Sequence, residues 1–176
     1  MSTLLVISAI GEDRPGIVER LTKVILDNGC NVLDSRMSVL GGTFAVILLV
    51  GGNWSTLAKL ETALKALERD LGLTVNTKRT EPRALTQHVL PYTVDVVALD
   101  HPGIVHELSA FFSRRGINIQ DLSTSAYSAA HTATPMFAVR MIIEVPANQH
   151  IAALREEFLD LCDQLNLDGV IEPTKT

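Results

Sequence analysis

One hexapeptide that occurs twice constrains this 176-residue chain more than any other feature. Asp13-Arg14-Pro15-Gly16-Ile17-Val18 returns as Asp100-His101-Pro102-Gly103-Ile104-Val105, at a shift of 87 residues. Without a gap, the same shift also pairs Leu21 with Leu108, Gly29 with Gly116, Asn31 with Asn118 and Asp34 with Asp121. A match of this length indicates a duplicated domain.

The hydrophobic pattern of the first copy predicts the element order βαββαβ. An apolar strand precedes the hexapeptide, and a helix with one apolar face follows it. Gly41-Gly42 suits the positive φ angles of a two-residue hairpin between the next two strands. Ser55 is predicted to cap a second helix, and Trp54 is expected to pack over that helix. Five leucines at spacings of 3 and 4 predict the buried face of this helix: Leu57, Leu60, Leu64, Leu67 and Leu71.

The second copy repeats this order with a strand predicted from Thr93. Its hairpin is six residues longer, because Phe44-Ala45-Val46 returns as Phe137-Ala138-Val139 at a shift of 93. The extra segment, Tyr127–Pro135, is small and polar and is predicted to form a mobile loop. The sequence therefore predicts an α+β fold of two ferredoxin-like βαββαβ units, each a four-stranded antiparallel sheet with two helices on one face.

The repeat predicts three parts of the chain: a first domain at 1–80, a linker at 81–90 and a second domain at 91–176. Domains this small bury only about 60% of the surface of the unfolded chain. We therefore expect the two domains to pack on each other or on a second chain, and in the second case the protein would be a homodimer.

Charge argues against nucleic acid as a direct partner. The net charge is −5 and the pI is near 5.5, whereas nucleic-acid binding usually depends on a basic surface. Residues 1–80 carry a net charge of +1 and residues 81–176 a net charge of −6, so a basic protein partner suits the second half better. No apolar run is long enough to span a membrane, and we expect a cytoplasmic protein.

The cysteines and histidines do not predict a metal site or a disulfide. Cys30 and Cys162 lie at non-equivalent places in the two copies and are expected to be core thiols. The five histidines occur singly, without a companion at metal-ligand spacing: His88, His101, His106, His131 and His150. No cofactor is expected.

Each hexapeptide lies where a strand turns into a helix. Asp13 and Asp100 suit capping of the helix N-terminus, with the proline in the first turn. Gly16 and Gly103 cost about 0.5–1 kcal/mol relative to alanine in a helix. Their use in both copies suggests that a neighbouring strand or a ligand approaches the backbone closely.

An asparagine follows each of these helices, at the start of the next strand. A ligand carboxylate on the free N–H groups of the helix start is one interpretation, with the amide of Asn31 or Asn118 reaching its polar atoms. In the other interpretation, each asparagine only closes the turn from helix to strand. The residues alone favour the second interpretation.

These residues resemble the ACT domain, the amino-acid-sensing regulatory module. The likeness lies in the hexapeptide after a strand and in the Gly-x-Asn that follows the helix. The longer stretch Gly29–Gly41, followed by Phe44 and Gly52-Asn53-Trp54, resembles the family of glycine cleavage system transcriptional repressors. The resemblance to a tandem ACT arrangement covers nearly the whole chain.

The resemblance implies a regulator that is not an enzyme. Two ACT domains would bind a small amino acid, with glycine expected, and the ligand would alter contact with a transcriptional activator protein that itself binds DNA. Carried over by position, the ligand-binding candidates are Asp13, Arg14, Gly16 and Asn31 in the first copy, and Asp100, His101, Gly103 and Asn118 in the second. A neutral imidazole cannot replace a guanidinium at an anion, so the first site is expected to be the better one.

Two other functions remain open. An acylphosphatase-like hydrolase would place Arg14 on an acyl phosphate and Asn31 on the attacking water. A structural adaptor would bind its partner without any ligand. The stretch Asp34-Ser35-Arg36 is either a functional polar face or the solvent side of a strand, and its periodicity favours the solvent side.

Overall fold

The computed structural model describes residues 3–83 and 88–175, which form two compact units. The first unit consists of β1 (Thr3–Glu12), α1 (Ile17–Asp27), β2 (Asn31–Leu40), β3 (Thr43–Gly52), α2 (Trp54–Leu71) and β4 (Thr74–Thr80). The second consists of β5 (Val89–Leu99), α3 (Ile104–Ser113), β6 (Asn118–Ser128), β7 (Pro135–Pro146), α4 (Ile151–Leu165) and β8 (Leu167–Pro173).

Each unit contains one four-stranded sheet. The strand orders are β2-β3-β1-β4 and β6-β7-β5-β8, and all neighbouring strands are antiparallel. Because β3 lies between β1 and β2, those two strands run parallel without touching, and α1 connects them across the sheet. This topology confirms the predicted pair of ferredoxin-like βαββαβ units.

The core of the first unit lies between the sheet and its two helices. Alternate residues of β1 and β3 are buried together with Ile17, Leu21 and Ile25 of α1. All five leucines predicted for the buried face of α2 are at most 8% exposed, which confirms the helical periodicity. The hairpin prediction is confirmed as well, since Gly41 and Gly42 both have positive φ angles.

The core of the second unit is equivalent but more aromatic. Phe111, Phe112 and Phe158 lie within 5.9 Å of one another, measured between ring centroids. Cys162 is buried beside this cluster, and desolvation raises the pKa of its thiol to about 11. Cys30 is buried in the first unit, so both cysteines are core thiols as expected.

Two predictions at the start of α2 are wrong. Asn53, not Ser55, is the N-cap: its side chain accepts a hydrogen bond from the Thr56 amide, and the Thr56 hydroxyl accepts one from the Asn53 amide. Trp54 is 73% exposed and lies 5.6 Å from the guanidinium of Arg79 instead of covering the helix. The capping box starts the helix directly after β3 and points Trp54 away from the core.

Two segment boundaries also differ from the prediction. Strand β5 begins at Val89, inside the predicted linker 81–90, of which 84–87 lies outside the described residues. The predicted loop Tyr127–Pro135 is shorter, because β6 continues to Ser128 and a backbone hydrogen bond from Ala129 to Thr134 closes the turn. Within the two described ranges, none of the helices has the length and apolar character needed to cross a membrane.

Candidate ligand site

The first candidate place is the corner between β1 and α1. Gly16 occupies the N-cap position with a φ of 91°, and no side chain caps the helix. The expectation that Asp13 caps α1 with Pro15 in the first turn is therefore wrong, because the left-handed turn at Gly16 starts the helix only at Ile17. The backbone N–H of Asp13 donates to the Gly42 carbonyl instead.

The structure gives a conformational reason for the glycine at this corner. A Cβ on Gly16 would have no atom within 4 Å, and the same holds for Gly103, whose φ is 98°. Of the two suggested causes, a neighbouring strand or a ligand, the neighbouring strand is therefore wrong. Positive φ angles near these values are readily adopted only by glycine, so the turn itself requires the residue in both units.

Arg14 is tied to the protein rather than pointing freely into solution. Its guanidinium donates a hydrogen bond to the Leu71 carbonyl, in the last residue of α2. A cation at this position also complements the negative end of the helix dipole. In the second unit, Nδ1 of His101 lies 3.1 Å from the Pro102 carbonyl of its own corner. The two units therefore differ at this position in contacts as well as in residue type.

In the second unit, the corner borders a cavity of about 490 Å³. Its lining includes Asp100, His101, Gly103 and His106. The helix α3 starts at this cavity, so backbone N–H groups without helical partners face it. Three of the four candidates carried over to the second unit therefore lie together.

The remaining candidates lie at the opposite end of each sheet. Asn31 is the first residue of β2 and pairs with Gly51, whereas Glu12, at the corner, pairs with Thr43. The eight positions from Thr43 to Gly51 correspond to about 26 Å along the strand. Within one unit, a single small ligand cannot contact both places, so the predicted site separates into a corner and a strand start.

This separation follows from the helix between them. The 11 residues of α1 carry the chain about 16 Å back along the sheet before β2 begins. The structure therefore brings Asp13, Arg14 and Gly16 together, but not Asn31 with them. In the second unit, the same holds for Asn118.

The two strand starts share one backbone register but differ in the residue opposite the asparagine. Asn31 faces Gly51 across the β2–β3 pair, and Asn118 faces Glu144 across the β6–β7 pair. Nδ2 of Asn118 donates to Oε2 of Glu144 at 2.8 Å. The side chain of Asn31 has no hydrogen bond to any residue within 3–83 or 88–175.

A cavity of about 520 Å³ lies beside the strand start of the first unit. It is lined by residues of α1 and of the start of β2, including Glu19, Lys23, Leu26 and Asn31. The Glu19 carboxylate and the Lys23 ammonium group, which is paired with Asp27, therefore belong to residues that border one space. The ionic groups of an amino-acid zwitterion can find opposite charges there.

Sequence reasoning missed Glu144 and Gly51. Glu144 is 8% exposed and is the one buried charged or polar residue among the residues that the structure describes. Its signal is visible in the sequence, because Met141–Val145 is otherwise apolar. Charged residues are seldom this buried without a partner. Asp34, Ser35 and Arg36 are all exposed, and the Arg36 hydrogen bond lowers the pKa of the Asp34 carboxyl.

Comparison with known proteins identifies the family. The ACT-domain family model matches residues 3–78. The glycine cleavage system transcriptional repressor of Escherichia coli (strain K12) is 32% identical over 167 residues, which cover 95% of this chain and 88% of that protein. The chain belongs to the glycine cleavage system transcriptional repressor family.

Two solved structures match the fold over the whole chain. The crystal structure of a putative glycine cleavage system transcriptional repressor has a TM-score of 0.75 and 30% identity, covering 100% of this chain and 99% of that one. A protein from Galdieria sulphuraria, described as unknown, has a TM-score of 0.81 and 26% identity, covering 99% of this chain and 100% of that one. Both units of the family fold thus have counterparts among known structures.

Proposed function

We propose that this protein is an amino-acid-responsive transcriptional regulator of the glycine cleavage system. It acts in the cytoplasm, without a cofactor and without catalysing a reaction, by contacting a transcriptional activator protein. The observation that carries this proposal is the 32% identity to a transcriptional repressor over nearly the full length of both chains.

The ligand in this proposal is a small amino acid, with glycine expected. The cavity beside the start of β2 supports it, because Glu19, Lys23 and Asn31 are among the residues that line it. The corner residues Asp13 and Gly16 are a second candidate place for ligand contact. The distance between the two places means that one amino acid uses either the strand start or the corner within a unit.

Protein contact explains the surface better than direct contact with DNA. The second half of the chain has a net charge of −6, which repels a phosphate backbone. The outer edge of the first unit exposes apolar side chains, among them Leu26 at 73% and Met37 at 53%. Exposed apolar patches are typical of protein interaction sites.

The geometry disfavours the hydrolase alternative. An acylphosphatase-like reaction needs Arg14 and Asn31 on one substrate, yet within a unit they lie near opposite ends of β3. The guanidinium of Arg14 is also engaged with the Leu71 carbonyl. The adaptor alternative differs from our proposal only in the ligand, so a ligand measurement separates them.

The test is thermal unfolding in the presence of single amino acids at millimolar concentration. A ligand at 100 times its dissociation constant stabilises the folded state by about 2.7 kcal/mol, which raises the midpoint by several degrees. We expect a shift with glycine and a loss of that shift in Asn31→Ala. Asn76→Ala is the matched control, because Asn76 is an exposed strand asparagine of the same unit.

No shift with any amino acid would favour the adaptor. A shift that survives in Asn31→Ala but disappears in Asp13→Ala would place the ligand at the corner. If Asn31→Ala unfolds the protein while Asn76→Ala does not, then Asn31 has a structural role and its assignment to the ligand is wrong.

A further inference from the structure

We propose that a side chain of the second unit itself occupies the ligand place on Asn118, so that only the first unit responds to the amino acid. The carboxylate of Glu144 occupies, on the amide of Asn118, the place that the ligand's carboxylate takes on the amide of Asn31. This inference rests on the proposed function and adds which of the two units binds the amino acid.

The internal repeat provides the comparison. Asn31 and Asn118 are equivalent residues, and each is the first residue of its strand. Each strand has a register irregularity directly afterwards, between Val32 and Asp34 in one unit and between Ile119 and Asp121 in the other. The backbone around the two amides is thus the same, and the opposing residue is the difference.

The opposing residues also correspond along the chain. Gly51 and Glu144 are 93 residues apart, which is the shift that relates Phe44 to Phe137 in the same pair of strands. One copy therefore has no side chain at the position where the other has a carboxylate. A carboxylate accepts hydrogen bonds from the same amide donors whether a side chain or a free amino acid carries it.

Glu144 is held in place rather than exposed to solvent. It is 8% exposed, and burial of a carboxylate is costly unless hydrogen bonds compensate for the lost water. Asn118 provides one such bond at 2.8 Å. A ligand carboxylate that displaced Glu144 from Asn118 would leave a buried charge with fewer partners, so an exchange is unfavourable.

The first unit leaves the equivalent amide available. Asn31 makes no side-chain hydrogen bond within the described ranges, and Gly51 offers no competing group. The side chain of Leu33 borders this place, since a Cβ on Gly51 would lie 3.1 Å from its Cδ1. The residue equivalent to Leu33 in the second unit is Gln120.

The test follows the side-chain amide signals of Asn31 and Asn118 by NMR while glycine is added to the full chain. We expect glycine to shift the Asn31 signal and to leave the Asn118 signal unchanged. In Glu144→Gly, which copies the first unit, the Asn118 signal should respond as well, and the number of glycine molecules bound per chain should rise from one to two.

The reverse exchange should block the ligand place on Asn31 in the first unit. Gly51→Glu combined with Leu33→Gln copies the second unit, and we expect the Asn31 signal to lose its response to glycine. Glu172→Gly is the matched control, because it removes an exposed strand carboxylate of the second unit, and it should leave one glycine bound per chain.

The outcomes separate this inference from the proposed function. If glycine shifts both signals in the unmodified protein, the inference is wrong and the proposed function stands. If glycine does not shift the Asn118 signal in a folded Glu144→Gly variant, the inference is also wrong. If glycine shifts neither signal, the strand starts do not bind it and the inference is wrong, whereas the proposed function fails only if glycine also leaves the thermal unfolding midpoint unchanged. Should Glu144→Gly not fold, the titration of the unmodified protein still decides between one responsive unit and two.

Discussion

In the first unit, the outer strand β2 and the neighbouring helix α1 expose apolar side chains, and three of the four compared below have small or polar equivalents in the second unit, where β6 exposes Leu122 and Tyr127. Four residues of the first unit are 43–73% exposed: Val18, Leu26, Met37 and Val39. At a shift of 87 residues, their equivalents are Val105, Ser113, Thr124 and Ala126. The two cores, by contrast, are alike: each consists of buried residues from one sheet and the two helices that pack on it.

The comparison distinguishes the residues that the fold requires from those that it does not require. The buried residues of each unit have kept their pattern, because each unit must bury one sheet face under two helices. The outer edges have diverged, because the fold does not depend on them. An apolar edge strand with unpaired backbone groups is a surface suited to association, so we expect the more apolar edge of the first unit to be the one used for contact.

The largest expected effect tests whether the two cores are equivalent. Leu21→Ala should destabilise the first unit by about 2–5 kcal/mol, because the side chain is 1% exposed and its loss leaves a cavity. Leu108→Ala should destabilise the second unit by a similar amount. Urea unfolding checks this, with the single tryptophan, Trp54, reporting on the first unit and far-UV circular dichroism on both. A large effect in one unit and a small one in the other would contradict the equivalence of the cores.

The next effect concerns the apolar edge. Leu26→Ser with Met37→Thr copies the second unit, and it should weaken association through this edge about tenfold or more, which corresponds to about 1.4 kcal/mol. The free energy of unfolding should change by less than about 0.5 kcal/mol, because both side chains are exposed.

Sedimentation velocity over a range of protein concentrations measures the association of the edge variant. Leu159→Ser is the control, because it removes an apolar side chain that is 50% exposed on a helix of the second unit. If the control reduces association as much as the edge variant does, then general surface hydrophobicity, and not this edge, is responsible.

A smaller effect distinguishes the two corners. Arg14→Ala should destabilise the first unit by about 1 kcal/mol, because it removes the hydrogen bond to the Leu71 carbonyl at the end of α2. His101→Ala should have almost no effect, since the side-chain hydrogen bond of the imidazole is to the carbonyl of the next residue, Pro102. Equal effects of the two substitutions in urea unfolding would show that the guanidinium bond does not contribute.

Much of the fold could be predicted from the sequence, because periodicity determines burial directly. The leucines of α2 recur at helical spacing, and all five are buried. The hairpin at Gly41-Gly42 was predictable because few other residues tolerate its φ angles. The N-cap was not, since Asn53 and Ser55 are both good caps and the end of β3 decides between them.

The candidate site was less predictable, because it depends on distances between elements. The separation of Asp13 from Asn31 follows from the length and direction of α1, which residue spacing in the sequence does not express. The bond between Asn118 and Glu144 depends on strand register, and the irregularity after Ile119 shifts that register by one residue. A charged residue in an apolar strand was the available signal.

The smallest expected effect is a pH dependence that belongs to the first unit. Glu61 of α2 accepts a hydrogen bond of 2.8 Å from Arg79 of β4, and this bond lowers the pKa of the Glu61 carboxyl below its ordinary 4.5. At the equivalent place of α4, Arg155 donates to the Ile171 carbonyl rather than to a carboxylate.

Because the pKa of Glu61 is lower in the folded state, its ionised form stabilises the first unit above about pH 4.5, and this contribution disappears as the pH falls through the lowered value. For a partly exposed pair, we expect about 0.5 kcal/mol. Carboxyl ¹³C titration by NMR should show the pKa of Glu61 returning to its ordinary value in Arg79→Gln. Arg155→Gln should leave that pKa unchanged, and a shift in this control would mean that the two units are coupled electrostatically.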